Sequence, residues 1–207
     1  MNPWELIDLI DYEEHMKLDE VRQLQTLGEI MKRQLTEADV ETAAVLGVAG
    51  GNGLEHVDTH KLRCVYGIDI NDKFLTVCEQ RFPRLKGVLR VMKLNLCDEG
   101  CTLPDAELII ANLFIEYVGV AAFARHMGKA APKHISCVIQ RNGDAPFVSH
   151  SPYQEKLMTL SAVHKDIDAD ELTAALKGAG YRLRLRETYP LPNGKSLIRM
   201  DYGLMKS

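Results

Sequence analysis

From residue 43 onward, short continuous apolar runs alternate with stretches of helical texture, and no other feature constrains the fold as tightly. The runs cover residues 43–48, 64–70, 88–94, 107–111 and 135–139; the clearest helical stretches between them are 72–81 and 116–128. A strand that is apolar on both faces belongs in a parallel sheet, because the crossover helices of successive βαβ units cover both sides. The pattern changes near the C-terminus. Asp168-Ala169-Asp170-Glu171 opens a helix with an acidic first turn, and Gly178 and Gly180 close it. Two strand-like runs, 181–191 and 196–205, then meet at Pro192-Asn193-Gly194. Asn-Gly is a hairpin signal because both residues tolerate positive φ. The expected fold is α/β: a doubly wound, mostly parallel seven-stranded sheet finishing in an antiparallel C-terminal hairpin.

The first forty residues read as an N-terminal helical cap. Asn2 is placed to cap a short helix that has Pro3 at its first position and Glu5 three residues after the cap. A longer helix is expected over 18–35, where Leu18, Val21, Leu24, Leu27, Ile30 and Met31 recur at helical spacing. A chain of 207 residues suits one packed domain with a small elaboration. The division expected is a cap over 1–40 and a cofactor-binding domain over 41–207.

The first apolar run ends in the turn Ala49-Gly50-Gly51-Asn52-Gly53, followed by Leu54-Glu55-His56-Val57, which reads as a helix start. Gly51 and Gly53 remove side chains where a ligand must approach the backbone, and a helix N-terminus supplies free N–H groups. The next run ends Tyr66-Gly67-Ile68-Asp69-Ile70-Asn71, with Asp69 16 residues beyond Gly53. A carboxylate at the end of the adjacent strand can accept hydrogen bonds from both hydroxyls of a ribose. A phosphate-binding P-loop would need Gly-Lys-Ser/Thr after the turn, where Leu54-Glu55 stands. A dinucleotide fingerprint starting at Gly51 would need a small residue at the position of His56.

A strand, a turn of small residue-x-Gly-x-Gly and an acid ending the next strand resemble the class I S-adenosylmethionine-dependent methyltransferases. Further segments carry the resemblance. Ile68-Asp69-Ile70-Asn71 looks like the ribose-binding segment, with Ile70 placed against the adenine. Lys93-Leu94-Asn95-Leu96 looks like the segment that meets the adenine edge. The stretch from Pro104 to Asn112-Leu113 looks like the fourth strand, which lines the methionine and the methyl group. The resemblance implies S-adenosyl-L-methionine as cofactor, held by Gly47, Ala49, Gly50, Gly51, Gly53, Asp69, Ile70, Asn95, Leu96, Asn112 and Leu113. Three departures stand out: Gly47 replaces an acid that starts the first motif, Ala49 replaces its first glycine, and Asn95 replaces the commoner Asp. Without the first acid, the amino group of the cofactor needs another partner.

Methyl transfer from a sulfonium chiefly demands alignment in a dry pocket, so no obligatory catalytic residue can be required of the sequence. Acceptor-contacting candidates are Glu116 and Tyr117 after the fourth strand, and Tyr12 and His15 at the junction between the N-terminal helices. Tyr153 is the candidate in the long segment 141–165. Glu116 suits a helix N-terminus equally well, and Tyr12 and His15 suit a polar helix junction. The family implies a methyltransferase, and the acceptor expected is a small molecule. A cofactor-binding module without catalysis and an NAD-dependent oxidoreductase are the other readings.

A net charge of −4 gives no electrostatic basis for gripping a nucleic acid backbone. No run approaches the roughly 18 apolar residues of a membrane span. The N-terminus lacks a cleavable apolar core, so a cytoplasmic protein is expected. Five cysteines without a Cys-x-x-Cys spacing read as reduced thiols. His56 and His60, four apart on an expected helix, lack a third ligand for a metal. Arg182, Arg184 and Arg186 share one face of a strand and read as solvated.

Overall fold

The computed structural model describes residues 2–98, 100–143 and 145–205. The sheet has seven strands: β1 Thr42–Leu46, β2 Cys64–Asp69, β3 Leu89–Lys93, β4 Leu108–Asn112, β5 His134–Arg141, β6 Tyr181–Pro190 and β7 Ser196–Leu204. Their spatial order is β3-β2-β1-β4-β5-β7-β6. β1 pairs in parallel with both β2 and β4, so the winding reverses between these neighbours and a crevice opens at their carboxyl ends. β7 inserts antiparallel between β5 and β6, completing the expected hairpin.

Seven α-helices accompany the described strands: α1 Leu9–Lys17, α2 Gln23–Glu37, α3 Asp72–Arg81, α4 Ile115–Val118, α5 Val120–Ala130, α6 Gln154–Leu157 and α7 Ala169–Gly178. Side-chain caps fix several starts. Asp8 accepts from the N–H groups of Ile10 and Asp11, Asn71 from Lys73 and Phe74, and Asp168 from Asp170 and Glu171. Such a cap contributes about 1 kcal/mol. The main core lies on the face covered by α5 and α7, where Phe123, Met127, Leu172 and Leu176 pack on β1, β4, β5 and β7. On the other face, Met31 and Leu35 of α2 pack with Val45 of β1 and Ile110 of β4.

Three local expectations are corrected. The helix predicted over 18–35 begins only at Gln23, because Leu18 leaves α1 in an extended conformation (ψ 142°) and Arg22 is left-handed (φ 52°). Tyr12 and His15 therefore lie inside α1, not between two helices. The stretch 116–128 is split by Gly119 at φ 84°, which separates α4 from α5.

A fourth correction, just after the glycine turn, matters most. The expected helix after the glycine turn is one turn of 3₁₀ helix, Leu54–His56. Arg84 donates to the carbonyls of Leu54 and Val57 at 3.0 and 3.1 Å, satisfying acceptors that a continued helix would use. α2, from before β1, lies over this connection: Asn52 donates to the Leu24 carbonyl at 3.1 Å, and the Cα of Gly53 faces Met31. His56 and His60 thus share no helix, and the described residues hold no metal-binding cluster. His56 also loses its steric force against a dinucleotide, since the turn does not run on into a helix that His56 could hold off the strand.

Cys64, Cys78 and Cys137 are buried, Cys101 half-buried and Cys97 exposed, all with free thiols. Arg182, Arg184 and Arg186 are exposed on β6, Arg186 pairing with Asp170 at 2.8 Å. No helix among the described residues is long and apolar enough to cross a membrane.

Candidate functional site

The carboxyl ends of β1, β2 and β4 form the floor of a cleft of about 640 Å³. Eight of the eleven residues expected to hold the cofactor line it: Gly47, Ala49, Asp69, Ile70, Asn95, Leu96, Asn112 and Leu113. Tyr12 and Tyr117 join them from α1 and α4, with Trp4 and Phe114 beside them. Trp4 meets Tyr12 and Tyr117 edge-on, with ring centroids 5.2 and 4.9 Å apart. This aromatic trio seats the N-terminal segment across the cleft. Asn71 adds a hydrogen bond to the Trp4 carbonyl at 2.9 Å.

Asp69 is 8% exposed. Its Oδ2 accepts the N–H of Ala49 at 3.0 Å and its Oδ1 the N–H of Asn71 at 2.9 Å. Burial raises its pKa, and the backbone bonds partly oppose that. Each carboxylate oxygen can accept two hydrogen bonds, so capacity remains for a ligand in the cleft.

The glycine turn itself differs from a phosphate cradle. Gly47 and Val48 donate to the Ile68 carbonyl, Gly51 to Val48, Leu54 to Gly51, and Gly53 to the Glu55 carboxylate at 2.9 Å. With Ala49 bonded to Asp69, most N–H groups of the turn have protein acceptors. The surrounding carboxylates of Glu55, Asp69 and Glu13 repel an anion further. This bonding argues against a pyrophosphate at the turn more directly than the bulk of His56 does.

The glycines divide accordingly. Gly47, at φ 68°, lines the cleft, and a Cβ there would stand 2.9 Å from Phe114. Gly51 and Gly53 line neither this cleft nor the adjoining one, and their Cα atoms face Phe82 and Met31. Gly50 lies against Glu13 and Arg81, whose ion pair (2.8 Å between Nη2 and Oε2) ties α1 to α3 over the turn. Ala49 and Leu113 adopt left-handed φ values of 46° and 52° at the ends of β1 and β4. Non-glycine residues in that region cost about 1–2 kcal/mol and gather at functional sites.

Two further hollows adjoin the cleft. One, of about 530 Å³, runs under α1 and α2 past Gly47–Gly50 and is bordered by Glu13, Asn52 and Asn112. The other, of about 410 Å³, lies between α1 and the segment after β5 and includes Tyr12, His15, Leu113, Tyr117 and Phe147 in its walls. Tyr12 borders all three spaces.

Asn112 exchanges paired amide hydrogen bonds with Gln34 of α2, at 2.9 and 2.8 Å. Asn95 accepts from the N–H of Cys97 and donates to Asp98, both at 3.0 Å. His15 shares a 2.8 Å hydrogen bond with Ser151, and burial lowers its pKa, favouring neutral imidazole. Glu116 lines none of these three spaces; its Oε1 accepts from Gln140 N at 2.8 Å, and its Oε2 is buried without a partner. Burial pushes its pKa up to about 7. Tyr153 packs against the apolar cluster that includes Leu157 and Phe74 instead of lining these spaces.

Sequence reasoning missed Gln34, Glu13, Trp4 and Phe114. Phe114 follows Leu113 directly, whereas the others come from the N-terminal helices and join the site only through tertiary packing.

No protein-family model matches the chain, and no curated protein matches it in sequence. Solved structures match its fold. Magnesium protoporphyrin IX methyltransferase from Synechocystis PCC 6803, with bound S-adenosylhomocysteine, aligns over 97% of this chain and 89% of its own at TM-score 0.63 and 10% identity. An S-adenosylmethionine-dependent methyltransferase from Mesorhizobium loti aligns over 86% and 99%, at TM-score 0.64 and 17% identity. The [4+2]-cyclase SpnF aligns over 88% and 82%, at TM-score 0.66 and 7% identity. The chain has the fold of the class I S-adenosylmethionine-dependent methyltransferases.

Proposed function

We propose that this chain binds S-adenosyl-L-methionine across the two spaces that meet at Gly47 and transfers its methyl group to a small-molecule acceptor. The observation that carries the reading is a buried acid, Asp69, at the end of β2 in a cleft whose adjoining turn has few free N–H groups. Such a cleft suits a nucleoside without phosphates.

Asp69 would hold the ribose hydroxyls, with Ile70 and Leu96 against the adenine and Asn95 at its edge. The methionine portion would follow the second hollow past Gly47, Ala49 and Gly50. Asn112 and Leu113 would border the methyl. Glu13, beside Gly50, would supply the carboxylate that Gly47 lacks, since a cationic amino group needs an acceptor of opposite charge there. Gly51 and Gly53 would shape the turn without touching the cofactor. When bound, the cofactor supplies an electrophilic methyl, and the acceptor's lone pair displaces the thioether. The segment before residue 41 would act as a cap that excludes water, with Tyr12 at the meeting point of the three spaces. A cytoplasmic setting fits this chemistry.

A cyclase on the same fold makes the reaction a separate question from the cofactor. Incubation with S-adenosylmethionine and a fractionated metabolite extract tests it. The expected result is S-adenosylhomocysteine released only when one fraction is present. Binding without release in any fraction would favour a module acting through a protein partner.

A further inference from the structure

The 410 Å³ hollow behind the cofactor cleft is uniform in charge: no Asp, Glu, Lys or Arg side chain belongs to its described wall. Met16, Val148, Leu157 and Leu160 make much of that wall apolar. Two rings in it are held by their neighbours. Phe147 stacks on His164 with centroids 3.7 Å apart, and Tyr117 stands edge-on to Trp4. The nearby cation Lys195 is turned to the main chain, donating to the Phe147 carbonyl at 2.6 Å. It is 3% exposed and not part of the wall.

The polar groups of the wall are neutral. Gln23 donates to Gln140, which donates to Asn142 at 2.6 Å, so the two amides are ordered and their orientation is fixed. His15 is held through Nδ1 by Ser151, leaving Nε2 as its remaining polar atom. A charged ligand entering this space would give up its hydration with no opposite charge in the wall to meet it. An uncharged one would meet apolar walls and two or three neutral hydrogen-bonding groups, the ordinary make-up of a small-molecule site. Tyr12, Leu113 and Tyr117 form a boundary common to this hollow and the cofactor cleft, so its occupant would lie beside the cofactor.

We infer that the hollow between α1 and the segment after β5 binds the acceptor, and that the acceptor is an uncharged aromatic molecule. The role as acceptor rests on the methyltransferase reading; the preference for a neutral ring rests on the wall alone.

Calorimetry with three probes of one shape tests it: p-cresol, p-toluate and 4-methylbenzylamine, each titrated with and without saturating S-adenosylhomocysteine. The expected result is p-cresol binding at least tenfold tighter than either charged congener. Leu157→Trp, filling the hollow, should abolish p-cresol binding while S-adenosylhomocysteine still binds. Leu160→Phe fills it from the next turn of the same segment and covers a misfolded Leu157→Trp. Equal or tighter binding of a charged probe, no p-cresol binding, or p-cresol binding indifferent to both variants would overturn the inference. Failure of S-adenosylhomocysteine to bind, with p-cresol still excluded by the filling variants, would overturn the methyltransferase reading and leave the neutral site standing.

Discussion

Asp69 accepts the backbone N–H of Ala49 at 3.0 Å, so the acid assigned to the ribose also fastens the turn after β1. Removing it has two consequences. Asp69→Ala leaves the N–H groups of Ala49 and Asn71 without their acceptor, at a cost of about 1–3 kcal/mol each. Thermal denaturation should show that loss, and cofactor affinity should fall by tenfold or more. Asp69→Asn keeps one acceptor, so it should recover part of the stability yet still bind the cofactor weakly. Affinity equal to that of the unmodified protein in both variants would remove the ribose assignment.

Ala49 is held at φ 46°, a conformation natural to glycine. Ala49→Gly relieves that strain but adds freedom to the unfolded chain, so the net change should lie between about zero and +1 kcal/mol. Ala49→Val, β-branched in the left-handed region, should destabilise by about 2 kcal/mol or more. Chemical denaturation compares the two; a marked destabilisation by glycine would mean the backbone is not strained there.

Glu116 gives the fold a pH dependence of definite sign. Its ordinary pKa of 4.5 is raised to about 7 by burial, so the folded state binds the proton more tightly than the unfolded one. The stabilisation is full below about pH 4.5 and is lost as pH rises through about 7, amounting to roughly 3 kcal/mol. Asp69, also raised by burial, adds in the same direction. Glu116→Gln should flatten the fall in stability between pH 5 and 8. An unchanged slope in that variant would show that Glu116 ionises freely in the folded protein.

The proposed part played by Glu13 separates two ligands. Glu13→Gln should weaken S-adenosylhomocysteine about tenfold, while 5′-methylthioadenosine, which lacks the amino acid group, should bind as before. Equal losses for both ligands would instead indicate that the Glu13–Arg81 ion pair merely seats α1.

The sheet was legible because its information is local: five apolar runs and an Asn-Gly hairpin each declare themselves within ten residues. Helix α3 was likewise legible as the helical stretch 72–81. The turn's acid and the residues ending β4 also stand at sequence-defined strand ends, so the floor of the cleft could be anticipated. The 3₁₀ turn at Leu54–His56 could not. Its carbonyls are taken by Arg84, some thirty residues away, and the surface expected for a helix is covered by α2. The same holds for the amide pair of Gln34 with Asn112 and for Glu13 over Gly50, which depend on how the N-terminal helices pack. Helix periodicity tells which face is buried, not which strand end it meets.

Calorimetric titration with S-adenosylhomocysteine, S-adenosylmethionine and NAD decides which cofactor the cleft holds. The first two should bind with dissociation constants of about 1–100 μM, and NAD should not bind. Binding of NAD without either adenosyl compound would contradict the proposed cofactor.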